Sequence, residues 1–234
     1  MISFLGIGAQ KSGTSWLYQK LKKHPCIAFP AGKEVHFWDK KLGMGIQGYR
    51  ALFSAEAFSA KVCGEITPAY SILPTELIQE CSVNFPNLRL IYILRNPIDR
   101  AWSSAKMEVG RAGMKMSEVS EQWFVEHFKS RGSLARGDYE ACIRNWQAFY
   151  AREQFLICFF EELIKTPEML LTKCFKHIGV CRDLYDWSVD LRDPVFRGIQ
   201  AEIPPGLRYI LSDIYRPKID RLQAFLGVNL ENWV

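Results

Sequence analysis

Gly8-Ala9-Gln10-Lys11-Ser12-Gly13-Thr14-Ser15-Trp16-Leu17-Tyr18 is the stretch that decides the fold of this chain. A short apolar run, Phe4-Leu5-Gly6-Ile7, precedes it. An amphipathic run follows, in which Trp16, Leu17 and Leu21 oppose Lys20, Lys22 and Lys23. That order reads as strand, tight glycine turn and helix. The first turn of a helix leaves backbone N–H groups without intrahelical partners and carries the positive end of the helix dipole. Such a point attracts a phosphate or a sulfate. The loop is not the nucleotide-hydrolase pattern G-x-x-x-x-G-K-[ST], in which lysine follows the second glycine and reaches the β/γ-phosphates. Thr14 holds that place here, and the lysine stands earlier, at Lys11. The expected ligand is an anion other than the end of a nucleoside triphosphate.

Outward from this loop, strand-like and helix-like segments alternate. Strands are expected at 4–8, 26–29, 61–66, 88–94 and 155–160. Leu88 to Leu94 is nearly unbroken apolar sequence, as in a parallel strand covered on both faces. Helices are expected at 14–23, 74–84, 97–109, 117–129, 139–150, 168–178 and 207–226, with Pro217 marking a kink or break in the last. Pro97 opens its helix at the first turn, with Asp99 favourable beside it. The alternation predicts an α/β protein: a three-layer fold with a central parallel sheet, as one domain over residues 1–234. Ligands of such sheets gather at the carboxyl ends of the strands, where the glycine loop lies.

Composition narrows the function classes. The chain has 234 residues, enough for a full core without covalent staples. Its net charge of +5 suits an anionic ligand and gives no sign of a dedicated nucleic-acid binder. The 7 cysteines are scattered without a C-x-x-C pair, which suggests free thiols in a reducing, cytoplasmic setting. Cys174, His177 and Cys181 have the spacing of no common zinc site. No apolar run has the length of a membrane span.

Three further motifs carry chemistry. Leu94-Arg95-Asn96-Pro97-Ile98-Asp99-Arg100-Ala101-Trp102-Ser103-Ser104 places Arg95 at a strand end and Ser103 about two turns into the next helix, where the two can converge on a second anion. Lys33-Glu34-Val35-His36-Phe37-Trp38-Asp39 sets acid–base groups among apolar neighbours. If this segment is extended, Glu34, His36 and Trp38 share one face. The last motif is Glu65-Ile66-Thr67-Pro68-Ala69-Tyr70.

In this order the four motifs resemble the sulfotransferases that use 3′-phosphoadenosine-5′-phosphosulfate (PAPS), nearest the branch of heparan-sulfate N- and 3-O-sulfotransferases and their bacterial relatives. The resemblance touches points from Gly8 to about Gly198. It implies a P-loop-like phosphosulfate loop in which Lys11, Ser12, Gly13, Thr14 and Ser15 bind the donor. It implies that Arg95 and Ser103 hold the 3′-phosphate, with Phe196-Arg197-Gly198 as a short form of a second 3′-phosphate loop. Gly137-Asp138-Tyr139 with Trp146 is similar to the family's G-x-Y and tryptophan helix. The implied reaction moves a sulfuryl group from PAPS to a hydroxyl or amine of a glycan or other small molecule and leaves adenosine 3′,5′-bisphosphate (PAP). Lys11, Glu34 and His36 are the catalytic candidates, no metal is required, and either Glu34 or His36 can be the base. The 3-O-enzymes carry arginine where this chain has Ser15 and lysine where it has Ile66, which weakens any expectation of a heparan-like acceptor. The alternatives are a P-loop kinase-like phosphotransferase, which lacks its lysine after Gly13, and a catalytically silent nucleotide-binding protein.

Overall fold

A computed structural model of the chain describes residues 1–40, 43–192 and 198–233. Strands β1 (Ile2–Gly8), β2 (Ile27–Ala28), β3 (Val62–Ile66), β4 (Arg89–Leu94) and β5 (Phe155–Phe159) form one parallel sheet in the order β2-β3-β1-β4-β5. From β1 the chain goes to the edge strand β2, returns as β3 between the two, and then crosses to β4 and β5 on the other side. The reversal falls at β1, so the loop that leaves this strand occupies the topological switch point, where α/β sheets hold their ligands. The helices are α1 (Thr14–Leu21), α2 (Phe37–Lys40), α3 (Gly45–Ala51), α4 (Thr75–Asn84), α5 (Pro97–Arg111), α6 (Glu121–Lys129), α7 (Arg131–Arg136), α8 (Tyr139–Gln147), α9 (Phe160–Lys165), α10 (Pro167–Ile178) and α11 (Pro205–Leu226).

The chain divides into two compact units, one of residues 1–94 with 145–195 and one of residues 95–144 with 196–234. In the first, Phe4, Ile66, Ile91, Ile93 and Cys158 point from the sheet into Trp16, Leu17 and Leu21 of α1 and Leu170, Leu171, Cys174 and Phe175 of α10. Side chains alternate along a strand, so Leu5, Glu65, Leu90 and Tyr92 face the opposite layer. There the rings of Tyr49, Tyr70 and Tyr150 are buried, as are Ile78 and Cys81 of α4, and Tyr150 Oη donates to Cys81 Sγ at 3.4 Å. Each fully buried large apolar side chain stabilises this arrangement by about 1.5–3 kcal/mol.

The second unit is helical, with Trp102, Ala105 and Val109 of α5, Phe124 and Phe128 of α6 and Leu207, Leu211, Tyr215 and Ile219 of α11 buried. Arg100 lies at its centre, fully buried, and donates through Nη2 to Ser133 O at 3.1 Å and Tyr215 Oη at 3.3 Å.

Two local expectations are narrowed by the structure for physical reasons. Pro217 does not break the last helix, which runs from Pro205 to Leu226. Proline removes one backbone hydrogen bond, and burial of Leu211, Tyr215, Ile219 and Leu222 on both sides of it outweighs that loss. The strand ending at 160 instead stops at Phe159, and Phe160 opens α9, which ends before Pro167 starts α10.

Candidate active site

The glycine loop begins where β1 ends. Ala9 N donates to Ile93 O at 2.9 Å and Ser12 N to Ala9 O at 3.2 Å, which turns the chain sharply into α1. Gly13 sits at the N-cap with φ 84, in left-handed backbone that costs a residue with a Cβ roughly 1–2 kcal/mol. An added Cβ would also lie 2.4 Å from Leu163 Cδ1. No side chain caps α1, and its first turn holds no acidic residue. Beneath it, Ser12 is fully buried and its hydroxyl has no hydrogen-bond partner. An orphaned buried hydroxyl costs free energy unless a ligand satisfies it. With uncapped N–H groups beside it, this loop fits a phosphate or phosphosulfate group. Gly13→Ala is therefore expected to destabilise the protein by about 1–3 kcal/mol through overpacking and to weaken PAP binding, read by thermal melts with and without the bisphosphate.

The Lys33–Asp39 segment is not extended. Glu34 has φ 62, His36 has φ 59, and α2 starts at Phe37. Extended backbone would have placed Glu34 and His36 on one face by simple alternation; the structure joins them by a different route. Two left-handed residues curl the chain so that Glu34 Oε2 lies 3.4 Å from His36 Nε2. His36 Nδ1 lies 2.9 Å from Asp39 Oδ2 in the first turn of α2. Lys33 Nζ meets the other carboxylate oxygen of Glu34. A carboxylate, an imidazole and a second carboxylate thus form a line, with the Glu34 side chain 41% exposed and those of His36 and Asp39 23% and 19%. Trp38 is buried in an aromatic cluster with Phe37, Tyr49 and Phe85, so it is core and not an exposed wall.

Backbone bonds tie this segment to the strand ends. Thr67 N donates to Gly6 O at 2.9 Å, and Glu34 N donates to Ile66 O at 3.1 Å. The carboxyl ends of β1 and β3 therefore carry the glycine loop and the Glu34–Asp39 line side by side. Among the described residues, the non-glycine residues with left-handed φ are Lys11 at 69°, Glu34 and His36. Backbone strain of this kind collects at functional sites.

In the second unit, Arg95 follows β4 directly and Asn96 caps α5 by accepting from Ile98 N at 2.9 Å. Tyr139 Oη donates to Arg95 O at 2.7 Å, which fixes the backbone from which the guanidinium projects. Asp99 lies 3.7 Å from Arg208. Ser103 is half-buried on α5. Lys106, one turn further on, donates to Ala201 O at 3.2 Å, and its pKa is lowered by burial and then by the charge of Arg95. The Asp99 carboxylate acts in the opposite sense and raises it. Gly198 is exposed, and Arg197 lies outside the described residues.

Two residues near these groups have surroundings that the sequence does not show. Lys106 looks like an ordinary helix lysine until its turn relation to Ser103 is known. Glu65 opens the last of the sequence motifs with no role assigned to it, and it is fully buried and accepts from Tyr49 Oη at 2.5 Å, Tyr70 Oη at 3.0 Å, Thr67 Oγ1 at 2.8 Å and Val35 N at 3.2 Å. Burial holds its pKa above the usual carboxylate range, against the lowering effect of these donors. A raised folded-state pKa makes the ionised form a cost. Stability is expected to fall as pH rises from the unfolded-state pKa through the folded one. Comparison of thermal melts of the wild type and Glu65→Gln across acid to neutral pH checks this sign, with the variant gaining relative stability as pH rises.

The sulfotransferase domain family matches residues 3–186, a span that draws on both units. The chain is 34% identical over 149 residues to the membrane-associated sulfotransferase kil1 of Dictyostelium discoideum, covering 63% of this chain and 31% of that protein. It is 25% identical over 183 residues to mouse heparan sulfate glucosamine 3-O-sulfotransferase 6, covering 77% of this chain and 53% of the relative. The chain thus spans about a third to a half of the length of these curated relatives. The crystal structure of a sulfotransferase from Alicyclobacillus acidocaldarius matches it with a TM-score of 0.78 and 26% identity, over 100% of this chain and 98% of that one. No helix among the described residues is long and apolar enough to cross a membrane. With its glycine loop at the switch point of a parallel sheet and its match over most of its length, this chain belongs to the sulfotransferase domain family.

Proposed function

We propose that the protein transfers a sulfuryl group from PAPS to a hydroxyl or amine of a glycan or other small molecule, with residues 1–234 working as one sulfotransferase domain. The observation that carries this reading is the left-handed backbone shared by Lys11, Glu34 and His36. These three are the cation and the acid–base pair that in-line group transfer requires. The loop amides from Ser12 to Ser15 and the hydroxyls of Ser12 and Thr14 hold the 5′-phosphate end. Arg95, Ser103 and Lys106 hold the 3′-phosphate, and Gly198 with Arg197 contributes to the same group. When bound, PAPS supplies the activated sulfuryl group and leaves as PAP.

Lys11 neutralises the charge that grows on the leaving phosphate oxygen. Glu34 takes the proton of the acceptor. His36, held between Glu34 and Asp39, orients the Glu34 carboxylate and receives part of the incoming charge. All seven cysteines are free, which supports a reducing, cytoplasmic setting. Ser15 and Ile66 leave the glycine loop and the end of β3 without the cations that would hold a polyanionic sugar, so a neutral acceptor fits better than a heparan-like one.

Donor recognition gives the direct test. PAP is expected to raise the melting temperature strongly and ATP with magnesium only weakly. Selective binding to the folded state stabilises by about 2.7 kcal/mol at a hundredfold excess over Kd. Arg95→Ala is expected to remove most of the preference for a 3′-phosphate. Equal shifts with PAP and ATP would reject the reading.

A further inference from the structure

We propose that Glu65 is a positioning residue, whose carboxylate reaches from β3 to the Val35 N–H and fixes the left-handed turn that aims Glu34 and His36. The inference rests on the proposed roles of those two residues. Val35 lies between them, and at its N–H a side chain outside the segment grips the turn at its centre. Glu34 N is held on the neighbouring acceptor, Ile66 O, so consecutive residues of β3 clamp consecutive residues of the turn. Left-handed conformations at two non-glycine residues, each costing roughly 1–2 kcal/mol, persist only where such partners over-determine them.

The far side of the carboxylate is anchored as firmly. Oε1 accepts from Tyr49 and Tyr70, and Oε2 from Thr67 as well as Val35. Tyr70 Oη also accepts from Trp38 N at 3.4 Å, two residues beyond His36. The Glu65 group therefore holds the turn at its middle and at the start of α2. Nothing in this arrangement gives Glu65 contact with an acceptor, because the side chain is fully buried. Its part is reach and acceptor geometry rather than proton transfer.

Two variants separate reach from charge. Glu65→Gln keeps the length: its carbonyl oxygen can face Val35 and Thr67 while its amide donates to the tyrosine hydroxyls. Glu65→Asp keeps the charge but retracts the carboxylate by about 1.5 Å, one Cα–C bond length, which takes it beyond hydrogen-bond range of Val35 N if it stays on the tyrosines. The experiment measures kcat with saturating PAPS, PAP affinity, the pH–rate profile and amide hydrogen exchange over residues 33–40. For Glu65→Gln we expect kcat within about threefold of wild type, an unmoved pH profile and unchanged exchange, since the acceptor that faces Val35 and Thr67 survives. For Glu65→Asp we expect kcat to fall by roughly tenfold to a hundredfold, as for a displacement on the order of 1 Å at reacting groups. Faster exchange confined to 34–36 and unchanged PAP affinity should accompany it.

Impairment of Glu65→Gln with Glu65→Asp spared would assign the effect to charge and overturn the proposal, and so would equal impairment of both. Wild-type behaviour of Glu65→Asp, or loss of its cooperative melt and PAP binding together, would overturn it equally. Should the wild-type protein transfer no sulfuryl group to any acceptor, the exchange pattern still decides the role of Glu65, so the two failures are distinguishable.

Discussion

Glu34→Gln is expected to abolish sulfuryl transfer while PAP binds as it does to the wild type. The amide keeps the shape of the side chain and its 3.4 Å approach to His36 Nε2, but it cannot accept a proton at neutral pH. Loss of a positioned base costs typically 10²–10⁴-fold, so activity should drop to background in a radiolabel assay. The contact of Glu34 with Lys33 is a half-exposed ion pair, and breaking it changes stability by only about 0–1 kcal/mol. The melting temperature should therefore hardly move, which separates a chemical loss from a folding loss. His36→Asn should reduce the rate less, because it removes the group that orients Glu34 rather than the base. The pH–rate profile at saturating PAPS distinguishes the two: losing the base removes the acid-side limb, and losing the orienting group lowers the curve without moving it. Retained activity in Glu34→Gln with a dead His36→Asn would reverse the assignment.

The second large effect is expected at Lys11. Lys11→Ala should lower kcat by about a hundredfold or more, as for removal of one preorganised charge donor. Donor affinity should fall less, because the contact strengthens as charge develops on the leaving oxygen. Lys11 is one of the left-handed residues, and alanine in that backbone costs no more than lysine does, so the variant should fold. Since a lysine supplies the charge, activity is expected to survive excess chelator. Loss of activity on chelation, restored by magnesium, would mean the loop has been assigned the wrong chemistry.

The sheet and the anion loop were legible in the sequence because they depend on local pattern. Apolar runs such as Leu90–Leu94 set strands, Gly13 set the turn, and Pro97 set a helix start, each within a few residues of where the structure has them. The conformation of Lys33–Asp39 was not legible. Alternating residue types suggested an extended face, but the acceptors that curl the segment, Ile66 O and Glu65 Oε2, come from a strand about thirty residues away. No local propensity encodes such a clamp. The same holds for Lys106, whose relation to Arg95 depends on how the chain turns from Arg95 into α5. The short helices α2, α3, α7 and α9 went unread for a related reason. Each is too short to show a helical period, and neighbours rather than propensity hold them.

The most direct test is a single-turnover assay with PAPS labelled at sulfur, run beside ATP labelled at the γ-phosphate against the same panel of glycan, phenol and hydroxyacyl acceptors in excess chelator. Label transfer from PAPS to an acceptor, absent in Glu34→Gln and accompanied by stoichiometric PAP, is the predicted result. Transfer from ATP instead, or release of PAP with no labelled acceptor in any member of the panel, would contradict it.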